Sequence, residues 1–314
     1  MSKYAQQPLS FQGLKTVPIL SRDAKVRVEH FGKPYPGGGV AALLDSLPHI
    51  LAADSLRSVV AALANARARK KMILWGLGGH VIKCGLAPIL IDLMRRGYAT
   101  GFALNGAAAI HDFEIAIAGQ TSEDVEAVLP DGSFGAAEET GREFNAALKC
   151  EQGFGESLGY HLEKIADPRF AACSLLCETY RNSTPVTVHV AIGTDTPHTH
   201  PSANGDALGR ATHHDFRLLC SLVKDIHDGG VYLNVGSAVV LPEVFLKAVS
   251  VVRNLGHPLA NFTTVNFDFL QHYRPKVNVV ERPHARAGGH GYSITGHHEI
   301  MIPLLAAALI ERAS

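Results

Sequence analysis

The chain has no excess of charge of either sign: 29 lysines and arginines stand against 29 aspartates and glutamates among 314 residues. Binding to nucleic acid or to an anionic membrane draws on a basic stripe, and the sequence has none. No uninterrupted apolar run reaches the roughly 20 residues that a membrane span requires, and the opening MSKYAQQPLSFQG lacks an apolar signal core. The expectations are therefore no nucleic acid, no membrane and a cytoplasmic location. Cysteine is scarce as well. Cys84, Cys150, Cys173, Cys177 and Cys220 are an odd number in apolar, mostly helical surroundings, which argues for reduced thiols and against a disulfide framework. Cys173 and Cys177 stand one helical turn apart, but no histidine lies at ligand spacing around them, so no metal is assigned there. The dinucleotide fingerprint G-x-G-x-x-G, internal repeats and low-complexity tracts are also missing.

What is present is a chain of 46% hydrophobic residues with 30 glycines, a composition that suits an α/β protein with a sizeable core. Residues 75–125 are its most informative part. KMILWG reads as a short buried strand, GLGGH as a turn, and VIKCGLAPILIDLMRRG as the following helix, stopped at Gly97. GFALNG then reads as a second strand running into a second small-residue turn, AAAIHDFE. One glycine turn is common punctuation between strand and helix. Two on successive strands, the second carrying Asn105, His111, Asp112 and Glu114, point to a ligand site at the carboxyl ends of parallel strands.

Residues 1–39 hold Pro8, Pro18, Pro34 and Pro36 and end in PYPGGG, which predicts an extended arm packed on the body or on a neighbouring subunit. Residues 40–314 read as a single α/β domain. It opens with two helices broken near Pro48, the second capped by Asp54 or Ser55. Further on, VTVHVAIG, VYLNVGS and FTTVNFDF alternate with the helical stretches HDFRLLCSLVKDIHD and PEVFLKAVSVVRNLG. That alternation predicts a Rossmann-like, mainly parallel sheet with helices on both faces.

KCGLAPILIDLMRRG followed by ALNGAAAIHDFEIAIAGQTSEDV resembles the middle of the deoxyhypusine synthase family. Thr194-Asp195 with Gly205-Asp206 beyond, VYLNVGS, FTTVNFDF and a closing IPLLAAAL follow in the family's order. The resemblance implies an NAD-dependent, Rossmann-like homotetramer that cleaves spermidine and moves its aminobutyl group to an amine acceptor. It implies that the cofactor is NAD, held by Gly76, Gly78, Gly79, Asn105, Gly106, His111, Asp112, Gly236, Ser237 and Asn266. The amine falls to Asp195, Asp206, Glu243 and Asp268, since carboxylates accept charge-assisted hydrogen bonds from ammonium groups.

The chain departs from the family at the chemistry. Family members carry a lysine near the carboxyl terminus that forms an imine with the transferred group, and VVERPHARAGGHGYSITGHHE contains no lysine. His284 lies near the expected place and Lys276 is the closest lysine upstream, so these two are the catalytic candidates. A histidine relays protons near neutral pH but forms no Schiff base, which excludes the usual transfer to a protein lysine. The family's histidine after its glycine-rich third strand is also absent, with Pro242 and Glu243 in its place. The loop TDTPHTHPSANGDALGRATHHDF supplies a competing reading. His198 and His200 on an irregular segment could share a metal in a hydrolase, given a third ligand, while His213 and His214 face different ways on a helix start. An NAD-dependent enzyme of a small amine leads; an NAD-binding protein without transferase activity and the metal hydrolase are the alternatives.

Overall fold

Runs such as ILWGL and VYLNV show little alternation of polar and apolar residues because both faces of their strands are covered. β1 (Ile73–Leu77), β2 (Gly101–Asn105), β3 (Val186–His189), β4 (Val231–Val235) and β5 (Thr263–Asp268) are buried along nearly their whole length. With β6 (His290–Thr295) they form one sheet in the order β3-β2-β1-β4-β5-β6, every neighbouring pair parallel. This is the strand order of the dinucleotide-binding doubly wound fold. The computed structural model describes residues 3–148 and 152–312, so Cys150 lies outside the described residues.

Helices α1 (Val40–Ser46) and α2 (Leu51–Ala68) precede the sheet, and α3 (Gly79–Lys83) and α4 (Ala87–Arg95) link β1 to β2. Between β2 and β3 lie α5 (Gly106–Ala118), α6 (Val125–Val128), α7 (Glu138–Ala147), α8 (Phe154–Ile165) and α9 (Leu175–Arg181). The later crossovers are α10 (Gly205–Lys224), α11 (Val240–Asn254) and α12 (Tyr273–Pro275), the last running into a π-helical stretch, Lys276–Glu281. α13 (His298–Glu311) follows β6. Because successive strand residues point to opposite faces, the sheet separates two cores. Trp75, Phe102 and Leu233 pack under α2, α4, α5, α8, α9 and α13, whereas Leu74, Ala103 and Tyr232 pack under α10 and α11. Trp75 Nε1 donates to the Tyr98 carbonyl at 2.9 Å, which satisfies the one polar atom of that wholly buried ring.

Local details differ from the sequence reading. The helix expected after the first strand breaks at Gly85, which adopts φ 74°, and becomes α3 and α4. AAAIHDFE is no turn but the body of α5, whose N-cap is Asn105; its side chain accepts from Ala108 N at 2.9 Å. α2 begins at Leu51, upstream of Asp54 and Ser55, and neither caps it. β6 went unread in the sequence because only Ile294 of its six residues is buried, as befits an edge strand. Residues 3–39 contain two 3-10 turns, Ile19–Ser21 and Val28–His30, and leave Leu9, Phe11, Leu14, Val17 and Leu20 exposed. Among the described residues, no helix is long and apolar enough to cross a membrane.

Candidate functional site

The strand order reverses between β1 and β4, and open α/β sheets bind ligands in the crevice outside the carboxyl strand ends at such a reversal. Two glycine turns meet there. Gly78 N donates to the Val235 carbonyl at 2.8 Å, and a Cβ on Gly78 would lie 1.9 Å from the Gly236 carbonyl oxygen. The absent side chain at Gly78 thus admits the neighbouring turn, not a ligand. A Cβ on Gly79 would meet Ala107 Cβ at 2.9 Å and His111 Cδ2 at 3.2 Å, so this glycine lets α3 close on α5. Gly76 lies over Tyr232, whose hydroxyl oxygen would stand 2.5 Å from an added Cβ, and contributes to a sheet face. The crevice floor is an amide chain: Asn234 Nδ2 donates to Asn266 Oδ1 and to the Ser237 carbonyl, and Asn266 Nδ2 donates to Gln271 Oε1. Ser237 Oγ accepts from Leu241 N at the start of α11. Asn266 and Ser237 accordingly fix β4 against β5 and shape the crevice from below.

Beside it, over the carboxyl ends of β2 and β3, opens a cavity of about 910 Å³ lined by one face of α5 along its length, residues 120–123, the start of α7 and the segment 194–196. That size is at the upper end for small-molecule sites. Its lining carries the carboxylates of Glu114, Glu123, Glu139 and Asp195, with Lys83 and His111 as the basic side chains. Asp195 lies over the first turn of α5 so closely that a Cβ on Gly106 would come within 2.1 Å of Oδ2. The positive end of the helix favours a carboxylate at that place. Asp195 Oδ2 is nevertheless buried without a hydrogen-bond partner, and burial pushes the pKa up to about 6 against the pull of the Thr194 hydroxyl. Glu114 is held differently. Burial opposes its charge, but the His111 imidazole 3.8 Å away and hydrogen bonds from Thr121 and Thr140 outweigh burial and keep its pKa below the ordinary carboxylate value. Thr121 Oγ1 also lies 2.7 Å from His111 Nδ1, so His111, Thr121 and Glu114 form one connected polar wall.

Several residues expected at the site stand elsewhere. Asp112 faces away from the cavity and is wholly buried; it accepts from Ser174 Oγ at 2.6 Å, Leu175 N at 2.7 Å and Leu176 N at 2.8 Å, which anchors the start of α9. Asp206 is exposed in the first turn of α10 and does not line the cavity with Asp195. The Glu243 carboxylate is engaged by Lys247, Asn278 and Arg274 on the face of α11. Asp268 does reach the crevice, at the carboxyl end of β5, with its Oδ1 4.0 Å from His298 Nε2. His284 lies at the opposite end of the sheet: its Nε2 is 2.8 Å from Thr264 Oγ1, near the start of β5, because the π-helical stretch runs back along the strand. Lys276 is exposed at the head of that stretch. Neither catalytic candidate touches the cavity lining.

The histidine loop does not converge either. His198 Nδ1 accepts from Gly193 N, while His200 lies between Ser202 and Glu138. His213 and His214 line a separate groove beside α11. Among the described residues, the one group of three metal-ligating side chains is His80, Cys84 and Glu299. Those three, with Lys83, Glu123, Glu139 and the threonines around Glu114, are site residues that the sequence did not single out. The four-residue spacing of His80 and Cys84, which puts both on one helical face, is the signal that marks two of them.

No protein-family profile matches the chain, and no curated protein matches it in sequence. Solved structures do resemble it. A candidate deoxyhypusine synthase from Entamoeba histolytica superposes with a TM-score of 0.52 at 10% identity, covering 89% of this chain and 96% of that one. A conserved candidate LOR/SDH protein from Methanococcus maripaludis gives a TM-score of 0.53 at 15% identity, over 84% of this chain and 71% of that one. AgrE, solved in a ternary complex with ornithine and NAD+, gives 0.54 at 15% identity. The match to AgrE covers 82% of this chain but 33% of AgrE, so the chain spans about a third of that protein. The relation to the deoxyhypusine synthases is therefore one of fold.

Proposed function

We propose that the chain is an NAD-dependent enzyme acting on a small polyamine-like amine, with an acceptor other than a protein lysine. The observation that carries this reading is the acidic cavity at the carboxyl ends of β2 and β3, next to the crevice of a sheet with dinucleotide-binding strand order. Glu114, Glu123, Glu139 and Asp195 outweigh Lys83 in charge, which favours a ligand bearing ammonium groups. The crevice at the strand-order reversal, floored by Asn234 and Asn266, is the place that would hold NAD, whose nicotinamide supplies hydride transfer when bound. Its phosphates have no place at the start of α5, since the Asp195 carboxylate occupies that end. In the cavity, Asp195 and Glu114 hold and orient the ammonium groups. With Nδ1 engaged by Thr121, His111 keeps Nε2 for proton exchange.

The reading has a pH signature. An alkylammonium stays charged through the range in which Asp195, with its pKa of about 6, ionises. Affinity for spermidine should therefore rise about tenfold per unit up to about pH 6 and level off above it. The raised pKa acts oppositely on the ligand-free protein: the contribution of Asp195 to stability is fully present below the unfolded-state value, about 4, and is lost as pH rises through 6. Glu114, already ionised in this window, adds no slope. Titration calorimetry of spermidine into the NAD-loaded protein from pH 5 to 8 reads the effect. Asp195→Asn should lower affinity by about tenfold or more, the equivalent of one charged hydrogen bond, and flatten the profile. Copurifying NAD, identified by mass spectrometry, and a rise in NADH absorbance on adding spermidine, putrescine or agmatine complete the test. Absence of NAD binding, or of spermidine binding at millimolar concentration, overturns the proposal.

We also propose that the protein is a homo-oligomer, with a tetramer expected, in which the amino-terminal arm covers a second copy. Leu9, Phe11, Leu14, Val17 and Leu20 lie exposed on a segment that has only two 3-10 turns of its own. Light scattering should give an oligomer for the full chain and a smaller species after deletion of residues 1–39. A monomer at micromolar concentration for the full chain refutes this.

A further inference from the structure

Beyond the carboxyl end of β1, where α3 faces the start of α13, lies a second cluster that the amine reading does not use. His80 and Cys84 lie four residues apart on α3 and at its end, so their side chains share a face. Glu299 reaches them from the first turn of α13, 215 residues from Cys84 in sequence. His80 Nε2 is 3.3 Å from Cys84 Sγ, and Cys84 Sγ donates to Glu299 Oε2 at 3.7 Å. All three ligand atoms lie within 4.8 Å of one another. Zinc bonds of about 2.0–2.3 Å in tetrahedral geometry put ligand atoms about 3.3–3.8 Å apart, so two edges of the triangle already have coordination length.

We propose that His80 Nε2, Cys84 Sγ and the Glu299 carboxylate form a binding site for a divalent transition metal of the zinc class. The donor set decides the class of ion. A thiolate and an imidazole beside one carboxylate suit zinc or cobalt and disfavour magnesium and calcium, which take oxygen ligands. Three protein ligands leave a fourth position open, as in catalytic rather than structural zinc sites. That position is accessible, because His80 and Glu299 are exposed and Cys84 is half-buried. His297 Nδ1 lies 3.9 Å from Glu299 Oε1 and helps to orient the carboxylate. Phe269 forms an apolar wall: its ring centroid is 6.0 Å from that of His80 and 5.8 Å from that of His297, on which it stacks. His298, tilted against His80 at 5.6 Å, places a further imidazole and the Asp268 carboxylate just behind. Coordination needs the thiolate, so the Cys84 S–H bond breaks, the sulfur–metal bond forms and the proton leaves to solvent; affinity rises with pH.

The proposal stands apart from the amine reading, since none of its three ligands lines the acidic cavity. Cobalt(II) titrated into chelator-treated full-length protein is the direct test. The expected result is saturation at one equivalent per chain, with a thiolate-to-cobalt charge-transfer band and d–d bands of tetrahedral intensity; zinc should bleach both. Loss of a partner that merely orients a metal ligand costs about 10–100-fold in affinity, so Cys84→Ser and His80→Ala should each cost about a hundredfold or more. Glu299→Gln changes an exposed side chain and should weaken binding with the fold intact, as circular dichroism checks. Cys173→Ser and Cys220→Ser should bind as the parent does. No charge-transfer band in the parent protein, or a band that survives Cys84→Ser, overturns the site.

Discussion

Gly78→Ala is expected to cost about 3 kcal/mol or more of folding stability, the upper range for overpacking. The added Cβ would lie 1.9 Å from the Gly236 carbonyl oxygen and 2.5 Å from its carbonyl carbon. These are backbone atoms of a neighbouring turn and have no rotamer by which to withdraw. Relief requires the ends of β1 and β4 to part, which breaks the hydrogen bond from Gly78 N to the Val235 carbonyl. A protein of ordinary stability has about 5–15 kcal/mol in total, so the variant should unfold at much lower denaturant and accumulate poorly. Gly209 on α10 is the control. An added Cβ there has no neighbour within 4 Å, and Gly209→Ala should stabilise by about 0.5–1 kcal/mol through helix propensity. Urea midpoints of the two variants against the parent decide the matter. Equal midpoints for Gly78→Ala and the parent would mean that the two turns do not meet as described.

The same contact explains why the glycine turn was easy to find in the sequence and hard to interpret. Glycine at a strand end marks a close approach, but whether to a ligand or to another turn depends on a residue more than 150 positions away. The strands were legible because burial on both faces favours apolar and β-branched residues: β1, β2 and β4 are largely apolar runs, and β5 is marked by Thr263, Thr264, Val265 and Phe267. β6 was not legible, since an exposed edge leaves HGYSIT with one buried side chain. At the candidate site, adjacency in sequence misled. His111 and Asp112 are neighbours in the chain, but on α5 successive residues point about 100° apart. His111 and Glu114, three apart, share the cavity wall, while Asp112 looks into the core. His284 lies near the position that the resemblance marks, but a π-helical return along β5 carries it to the far end of the sheet. Metal-ligating pairs suffer the same loss: His80 and Cys84 are visible as a helical pair, but Glu299 joins them only through the fold.

Asp112→Ala is expected to destabilise the protein by about 3 kcal/mol at the least. The parent carboxylate satisfies three buried donors, Ser174 Oγ, Leu175 N and Leu176 N, and each buried donor left without a partner costs about 1–3 kcal/mol. Both amides belong to the first turn of α9, whose free N–H groups need an acceptor from outside the helix. Ser174 caps α9 through Cys177 N and, held by Asp112, would lose its fixed orientation. Burial pushes the Asp112 pKa up to about 6 in spite of these donors, a measure of how dry the pocket is. Asp112→Asn separates acceptor geometry from charge. Its single oxygen can serve two of the donors and leaves one facing an NH2 group, for a cost of about 1–3 kcal/mol. Denaturant unfolding should rank the parent above Asn and Asn above Ala, with amide exchange in α9 rising most in Ala. If Asp112→Ala instead kept parental stability and lost NAD affinity, Asp112 would belong to the cofactor site and not to the support of α9.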